Sequence, residues 1–266
     1  MILAIDVGGT KTLVASMDDA GTITEQIRFE TPPAYPEFVV ELLKAIAALT
    51  TKTFSRCVIA MPGRIDRTAG IVLALGNRPW QNVPIVADLA SLGIPVSVEN
   101  DSKLAGLSEA QLIPDYRKVL YLTVSTGIGG VMVINGKIDP NYQDAEYGHM
   151  LLEHDGKLQR WESFASGKAI YAKYQKKAAD IDSPSDWYEI ARNIALGLID
   201  VIAATTPDAI VIGGGVGSHF AKYGDILQSE LKLYEDDLIH VPPVFGAQRA
   251  EEAVIYGCYA LAQQHS

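Results

Sequence analysis

Ile2-Leu-Ala-Ile-Asp-Val-Gly-Gly-Thr-Lys-Thr12 opens the chain. The run from Ile2 to Val7 is apolar except for Asp6 and reads as a buried strand. Two glycines, a threonine and a lysine follow at once. Gly8 and Gly9 permit a tight turn and a close approach of backbone to a ligand. Thr10 and Lys11 add donors suited to anionic oxygens. Ionised Asp6 only accepts, and a magnesium ion wants a carboxylate oxygen. The Gly-x4-Gly-Lys-Ser/Thr spacing of a Walker A loop is absent. Residues 13–17, Leu-Val-Ala-Ser-Met, read as a second strand, so the element is a hairpin and not a strand-to-helix turn. Taken alone, the stretch fits an ordinary Gly-Gly hairpin turn as well as it fits a carboxylate and a donor turn facing a metal-bound polyphosphate.

Composition narrows the setting. A chain of 266 residues suits one large domain or two modest ones. Hydrophobic residues make up 48% and mean hydropathy is +0.12, enough for a substantial core and too apolar for a disordered chain. A net charge of −10 argues against nucleic acid or an anionic membrane as the main partner, because both reward basic surfaces. The chain starts on a strand, with no charged n-region and no cleavage pattern. No apolar run approaches the roughly 20 residues of a membrane span. Cys57 and Cys258 each sit among apolar neighbours, so neither a disulfide framework nor a thiol-rich metal site is available. Two buried free thiols in a reducing cytoplasm are the expectation.

The chain then alternates strands and helices. Residues 12–17 and 23–29 extend the opening strand into an antiparallel meander. Phe38, Leu42, Ile46 and Leu49 recur at helical spacing. Residues 57–61 form an apolar strand ending in Pro62-Gly63. Residues 63–84 read as an elaborated loop or small hairpin, and 84–92 as a short helix. A strand at 95–98 runs into Glu99-Asn100-Asp101, and Leu104, Leu107 and Ala110 mark a helix. The first lobe ends near residue 110.

The second half opens as the first does. A strand at 118–124, a turn at 125–130 and a strand at 131–135 repeat the plan of residues 2–16, which suggests an internal duplication. Residues 144–154 carry few propensity signals. Helical pattern returns at 161–175, and 187–202 is the clearest amphipathic helix. A strand at 209–212 ends in Gly213-Gly214-Gly215, and helices follow at 220–234 and 251–263.

Three Gly-rich turns, at 8–9, 127–130 and 213–215, each follow an apolar strand, the edge at which open sheets bind ligands. The first two carry threonine and can cradle phosphates. The third suits close backbone packing, either against its own helix or against a flat group such as a purine. Asp101 stands where a strand meets a helix. It reads as a helix N-cap or as a general base for phosphoryl transfer to an alcohol, and Asn100 could supply the cap instead. Glu146, His149 and Glu162 form a set suited to sugar hydroxyls. A zinc site and plain solvated loop residues are the competing readings. Asn77 and Trp80 can line a sugar site, although a tryptophan burying a loop is the simpler role. His154, His219, His240 and His265 lack paired spacing and read as incidental.

Together these residues resemble the ROK family of repressors, open reading frames and sugar kinases, over nearly the whole chain. Asp6-Val-Gly-Gly-Thr-Lys11 resembles its first phosphate motif, and Val98-Glu-Asn-Asp-Ser-Lys-Leu-Ala105 the segment of its catalytic aspartate. Ser125-Thr-Gly-Ile-Gly-Gly130, with Ile134-Asn-Gly136 after it, resembles the second phosphate motif. Glu146-Tyr-Gly-His149 and Glu162-Ser-Phe-Ala-Ser-Gly167 resemble its sugar-binding elements, and Ile210-Val-Ile-Gly-Gly-Gly-Val216 its adenosine motif.

The resemblance implies an α/β chain with the two-lobed, actin-like (ribonuclease-H-like) ATPase fold, holding ATP and a sugar in the cleft between lobes. The small lobe is expected over 1–110, completed by a C-terminal helix at 251–266, and the large lobe over 111–250. By that likeness Asp101 is the base and Asp6 holds Mg2+ through water. Gly8, Gly9, Thr10, Lys11, Thr126 and Gly127 hold phosphates, with Gly213, Gly214 and Gly215 at the adenosine. Gly63, Asn77, Asn100, Asp101, Glu146, His149 and Glu162 surround the sugar. The implied activity is ATP-dependent phosphorylation of a hexose, with glucose to glucose 6-phosphate the first expectation. Fructose, mannose, allose and N-acetylmannosamine are the alternative substrates, and a non-catalytic sugar-binding regulator is the alternative class. Small molecules are then the partners, a homodimer is suggested, and the location is cytoplasmic.

Four departures qualify the likeness. His154-Asp-Gly-Lys-Leu-Gln-Arg160 replaces the family's cysteine-rich zinc loop, so no structural zinc is expected and His149 is left to the sugar. Ser125 stands where glycine is common. The stretch from Gly167 to Trp187 is short. No helix-turn-helix segment precedes Met1, which disfavours the repressor branch.

Overall fold

A computed structural model describes residues 1–76, 78–249 and 252–264. The chain divides into two compact units, Met1–Ser108 with Glu251–Ser266, and Glu109–Ala250.

The first unit is built on a five-stranded sheet. Its elements are β1 (Ile2–Val7), β2 (Lys11–Met17), β3 (Ile23–Glu30), α1 (Tyr35–Ala48), β4 (Arg56–Met61), β5 (Arg64–Asp66), β6 (Ile71–Leu75), β7 (Arg78–Val83), α2 (Ile85–Asp88), β8 (Val96–Asn100) and α3 (Asp101–Ala110). The strand order is β3-β2-β1-β4-β8. The first three strands form an antiparallel meander, and β4 and β8 run parallel to β1.

The central strand β1 is apolar on both faces because both are covered. Leu3, Ile5 and Val7 pack with Phe38 and Leu42 of α1. Ile2 and Ala4 pack with Leu104 of α3 and with Ile255, Cys258 and Ala262 of the C-terminal helix Ala253–Gln264. Strand alternation puts Asp6 on this second face. Parallel pairing aligns the strand ends: Asp6 lies beside Ala60 of β4, and Met61 beside Asn100 of β8. One sheet edge therefore carries Asp6, the start of the Pro62-Gly63 turn and Asn100-Asp101.

The segment 63–84 is more regular than a loop or small hairpin. Strands β5, β6 and β7 form a three-stranded antiparallel sheet. Trp80 anchors it, buried against Phe38 and Tyr35 at ring-centroid distances of 4.9 and 5.4 Å. Its indole N–H donates to Pro33 O at 2.7 Å.

The second unit repeats the plan. Its elements are β9 (Lys118–Val124), β10 (Ile128–Ile134), β11 (Lys137–Ile138), β12 (Leu151–His154), β13 (Lys157–Arg160), α4 (Glu162–Ala165), α5 (Gly167–Tyr174), α6 (Pro184–Thr205), β14 (Ala209–Gly213), α7 (Gly214–Gly217), α8 (Gly224–Lys232) and β15 (Val244–Gly246). The main sheet has the order β11-β10-β9-β14-β15. An antiparallel hairpin, β9 and β10, is again followed by a parallel strand, β14. This is the arrangement of β1, β2 and β4.

Helix α6 packs Trp187, Ile190, Ile194 and Leu198 into this unit's core. Ser183 caps its start and Pro184 occupies its first turn, as helix N-termini favour. Gly197 has no side chain because the Trp161 ring occupies that space. The Trp161 indole N–H donates to Asn193 O at 3.0 Å. Residues 151–160 form the β12–β13 hairpin, which the sequence pattern does not announce. Among the described residues no helix is long and apolar enough to cross a membrane.

Candidate active site

In the first unit, the turn after β1 is closed by Gly8 N–H donating to Lys11 O at 2.9 Å. A Cβ on Gly8 would sit 2.8 Å from that same carbonyl, which is why glycine stands there. The turn's carbonyls are held from behind. Thr31 Oγ1 donates to Gly8 O at 3.0 Å, and Thr31 N–H donates to Thr10 O at 2.9 Å. The Arg78 guanidinium donates to Gly9 O, to Thr31 O at 2.8 Å and to Pro32 O at 2.9 Å. Among the described residues the N–H groups of Gly9 and Thr10 have no acceptor. The side chains of Thr10 and Lys11 are exposed. The turn therefore presents free donors on one side while its carbonyls are occupied.

Asn100 caps α3. Its Oδ1 accepts from Ser102 N–H at 3.0 Å, Ser102 Oγ at 2.6 Å and Lys103 N–H at 3.3 Å. Its Nδ2 donates to Gly63 O at 3.0 Å. Gly63 has φ +96°, and a Cβ there would collide with Ala74 O. Because Asn100 is the cap, the Asp101 carboxylate is spared that role. It accepts from Ser102 N–H at 2.7 Å. Burial raises its pKa above the usual carboxylate range, against the Ser102 N–H, its own N–H and the Lys103 charge.

The Asp6 carboxylate has no hydrogen bond among the described residues, while its backbone is paired in the sheet. Burial first, and the Asp101 charge second, raise it from 3.8 to about 7, with Arg28 pulling the other way. Two partly buried carboxylates that repel one another beside a donor turn form a site that gains from a cation.

In the second unit, Ser125 N–H donates to Gly127 O at 2.9 Å, and Gly167 N–H donates to Ser125 O at 2.6 Å. Strand β10 already starts at Ile128, so the turn is shorter than 125–130. Glu162, the first residue of α4, joins two candidates. Its Oε2 accepts from Ile128 N–H at 3.4 Å, and its Oε1 lies 3.3 Å from His149 Nε2. A Cβ on Gly127 would fall 2.6 Å from Glu162 Oε2. His149 ends a short 3-10 turn, Tyr147–His149, that begins just after Glu146. Gly148 in that turn has no room for a side chain against Ile128 O. Glu146 and His149 are exposed.

The third glycine turn divides its work. A Cβ on Gly213 would strike the Tyr121 ring, and Gly214 has φ +83° against Thr123 and Val124. Gly215 instead lines a cavity of about 530 Å3 with Ser125, Thr126, Lys168, Tyr171 and His219. This cavity is of nucleoside size, has basic side chains on its wall and lies beside the second threonine turn.

The structure thus gathers Asp6, Gly8, Gly9, Thr10, Lys11, Gly63, Asn100 and Asp101 at one sheet edge of the first unit. The second unit holds Thr126, Gly127, Glu146, His149, Glu162 and Gly213–Gly215. Asn77 and His265 lie outside the described residues.

Sequence reasoning missed several participants. His219 reads as incidental but lines the cavity with Lys168 and Tyr171. His154 is structural, stacked on Phe164 at 4.1 Å and hydrogen-bonded to Asn193 at 3.2 Å. Glu99, beside the cap, is buried and bound by two nitrogens of Arg67, each at 2.7 Å. Only the Gly-rich turns ahead of α5 and at the start of α7 hinted at a cavity. Nothing local marked Arg67 or Arg78. Among the described residues no group of three or more His, Cys, Asp or Glu is gathered as a metal ion would need.

Comparison with known proteins bears on this arrangement. A sequence profile of the ROK family matches residues 2–265. A glucokinase of Streptomyces coelicolor is 27% identical over 315 residues, covering 99% of this chain and 98% of the relative. An N-acetylmannosamine kinase of Citrobacter koseri is 30% identical over 291 residues, covering 98% of each. The crystal structure of a ROK hexokinase from Thermus thermophilus matches with a TM-score of 0.82 at 26% identity, over 100% of this chain and 99% of that one.

Proposed function

The chain belongs to the ROK family, and we propose that it transfers the γ-phosphoryl group of ATP to the 6-hydroxyl of glucose, with Asp101 as general base. The coarser statements stand on the relatives themselves: the fold is the two-lobed actin-like ATPase fold, and the activity is ATP-dependent phosphorylation of a hexose. The observation that carries the residue assignment is Asp101 itself. It is a carboxylate freed from helix capping by Asn100 and held at raised affinity for a proton by burial.

In this reading Asp101 accepts the hydroxyl proton as the sugar oxygen bonds to the γ-phosphorus and the bond to the ADP oxygen breaks. A base with raised proton affinity suits that transfer near neutral pH. The free N–H groups of Gly9 and Thr10, with the side chains of Thr10 and Lys11, hold phosphate oxygens. Thr126 and Gly127 do the same from the second turn, and the cavity beside Gly215 takes the adenosine. Asn100, Glu146, His149 and Glu162 hold sugar hydroxyls, with Gly63 and Asn77 beside them.

Asp6 fits a magnesium ion. It is a half-buried carboxylate with no hydrogen-bond partner among the described residues and a raised proton affinity, and Mg2+ is commonly bound by one or two carboxylates, several waters and substrate phosphates. When bound there, Mg2+ would neutralise charge on the phosphate oxygens. Asp6 would hold it, and so relieve the repulsion with Asp101.

A second substrate has one specific observation in its favour. The N-acetylmannosamine kinase is 30% identical, against 27% for the glucokinase. The test is ADP release over a panel of glucose, mannose, fructose, allose and N-acetylmannosamine. Highest kcat/KM on glucose is expected. A clear preference for N-acetylmannosamine would replace glucose in the proposal and leave the residue roles standing.

A further inference from the structure

Arg78 lies outside the residues that touch ATP or sugar in the reading above, yet it is tied to both neighbourhoods. It opens β7, immediately after Asn77. Its partners among the described residues are the carbonyls of Gly9, Thr31 and Pro32, with no carboxylate. The guanidinium lies 5.8 Å from the centre of the Trp80 ring, two residues on and so on the same face of the strand. Trp80 is itself fixed by its bond to Pro33 O. A planar fork anchored by a ring and satisfied by three carbonyls sets a geometry that a flexible ammonium does not.

The consequence follows from the planarity of the peptide bond. In a trans peptide the C=O and the following N–H point in opposite directions. Fixing Gly9 O on Arg78 therefore aims Thr10 N–H away from Arg78. Fixing Gly8 O on Thr31 Oγ1 aims Gly9 N–H in the same manner. Neither of these N–H groups has an acceptor among the described residues.

We propose that Arg78 is a positioning residue for ATP: it locks the Gly9–Thr10 peptide so that its N–H faces the phosphates. Thr31 is its partner in the lock. The inference rests on reading residues 8–11 as a phosphate-binding turn, and the experiment separates the two.

The variants are Arg78→Lys and Arg78→Met, with Thr10→Val and Lys11→Met made in parallel. Steady-state ADP release gives KM for Mg-ATP and for the sugar, and thermal unfolding checks the fold. Losing a hydrogen bond to a charged group implies a rise in KM for ATP of about tenfold or more in both Arg78 variants. The KM for the sugar should change by less than about twofold, a split that general loosening of the unit would not produce. Free guanidinium, added well below denaturing concentration, should lower the ATP KM of Arg78→Met but not that of Arg78→Lys.

Wild-type ATP KM in Arg78→Lys would overturn the proposal, because charge alone would then suffice. Equal loss of ATP and sugar affinity in both variants would also overturn it. If Thr10→Val and Lys11→Met leave ATP KM unchanged, the phosphate-turn reading fails and takes this inference with it. If they raise it while the Arg78 variants do not, the Arg78 inference alone fails.

Discussion

Replacing Asp6 with asparagine should stabilise the ligand-free protein above neutral pH. The Asp6 carboxyl is raised from 3.8 to about 7, by burial first and by the Asp101 charge second. An acid with a raised folded-state pKa binds its proton more tightly folded than unfolded. Between pH 3.8 and about 7 the folded state holds the extra proton, so stability falls as pH rises through that window and levels off above it. A shift of about 3 units at roughly 1.4 kcal/mol each sets an upper bound near 4 kcal/mol. Asp6 stands at a strand end that is only half-buried, so screening by water brings the expected gain for Asp6→Asn to about 2–4 kcal/mol at pH 8. At pH 5 the folded carboxyl keeps its proton while the unfolded one has largely lost it, so roughly 40% of the full difference should already be present, and it should vanish only below pH 3.8. Urea unfolding of both proteins at pH 5 to 8, without divalent metal, measures this. Mg2+ with ATP should then stabilise the wild type more than the variant. A variant that matches the wild type in stability at pH 8, with the same pH slope, would refute the reasoning.

Two further substitutions probe the surroundings. Gly127→Ala places a Cβ 2.6 Å from Glu162 Oε2, so the flexible carboxylate must move off Ile128 N–H and His149. The fold should persist while KM for the sugar rises about tenfold, the cost of one charge-assisted hydrogen bond, as initial-rate kinetics would read. Unchanged sugar KM would detach Glu162 from the sugar. Arg67→Met removes both donors to buried Glu99, which also accepts from Asn100 N–H at 2.7 Å. Breaking such a pair costs about 3–5 kcal/mol, and a loss under about 1 kcal/mol on urea unfolding would show that water substitutes for the guanidinium.

How much of this is legible in the sequence depends on how local each signal is. Strand β1 and its turn read correctly because an apolar run, two glycines and the next strand sit within 16 residues. Helix α6 declares itself through period alone, and its Ser183-Pro184 start follows ordinary capping. The β12–β13 hairpin does not declare itself. Leu-Leu-Glu-His and Lys-Leu-Gln-Arg carry no β-branched residue, and what holds them is pairing across Asp155-Gly156. Strand β15 has three residues and exists only by pairing with β14.

The same distinction runs through the site. Asp101 is visible as chemistry, but its release from capping depends on Asn100, whose amide also reaches back 37 residues to Gly63. Arg78 is 69 residues from Gly9 in sequence, and only the folded first unit makes them neighbours. The cavity wall draws on α5, α7 and the loop after α5, which share no motif.

The measurement that tests the account most directly is hexose-dependent ADP release by the wild type and by Asp101→Asn, with binding of sugar and of Mg-ATP measured in parallel. Loss of a general base alone is expected to lower kcat by about 10²–10⁴-fold, with both ligands still bound. Near-wild-type sugar-dependent turnover in Asp101→Asn would contradict the assignment of the base, and absence of hexose-dependent ADP release from the wild type would contradict the activity itself.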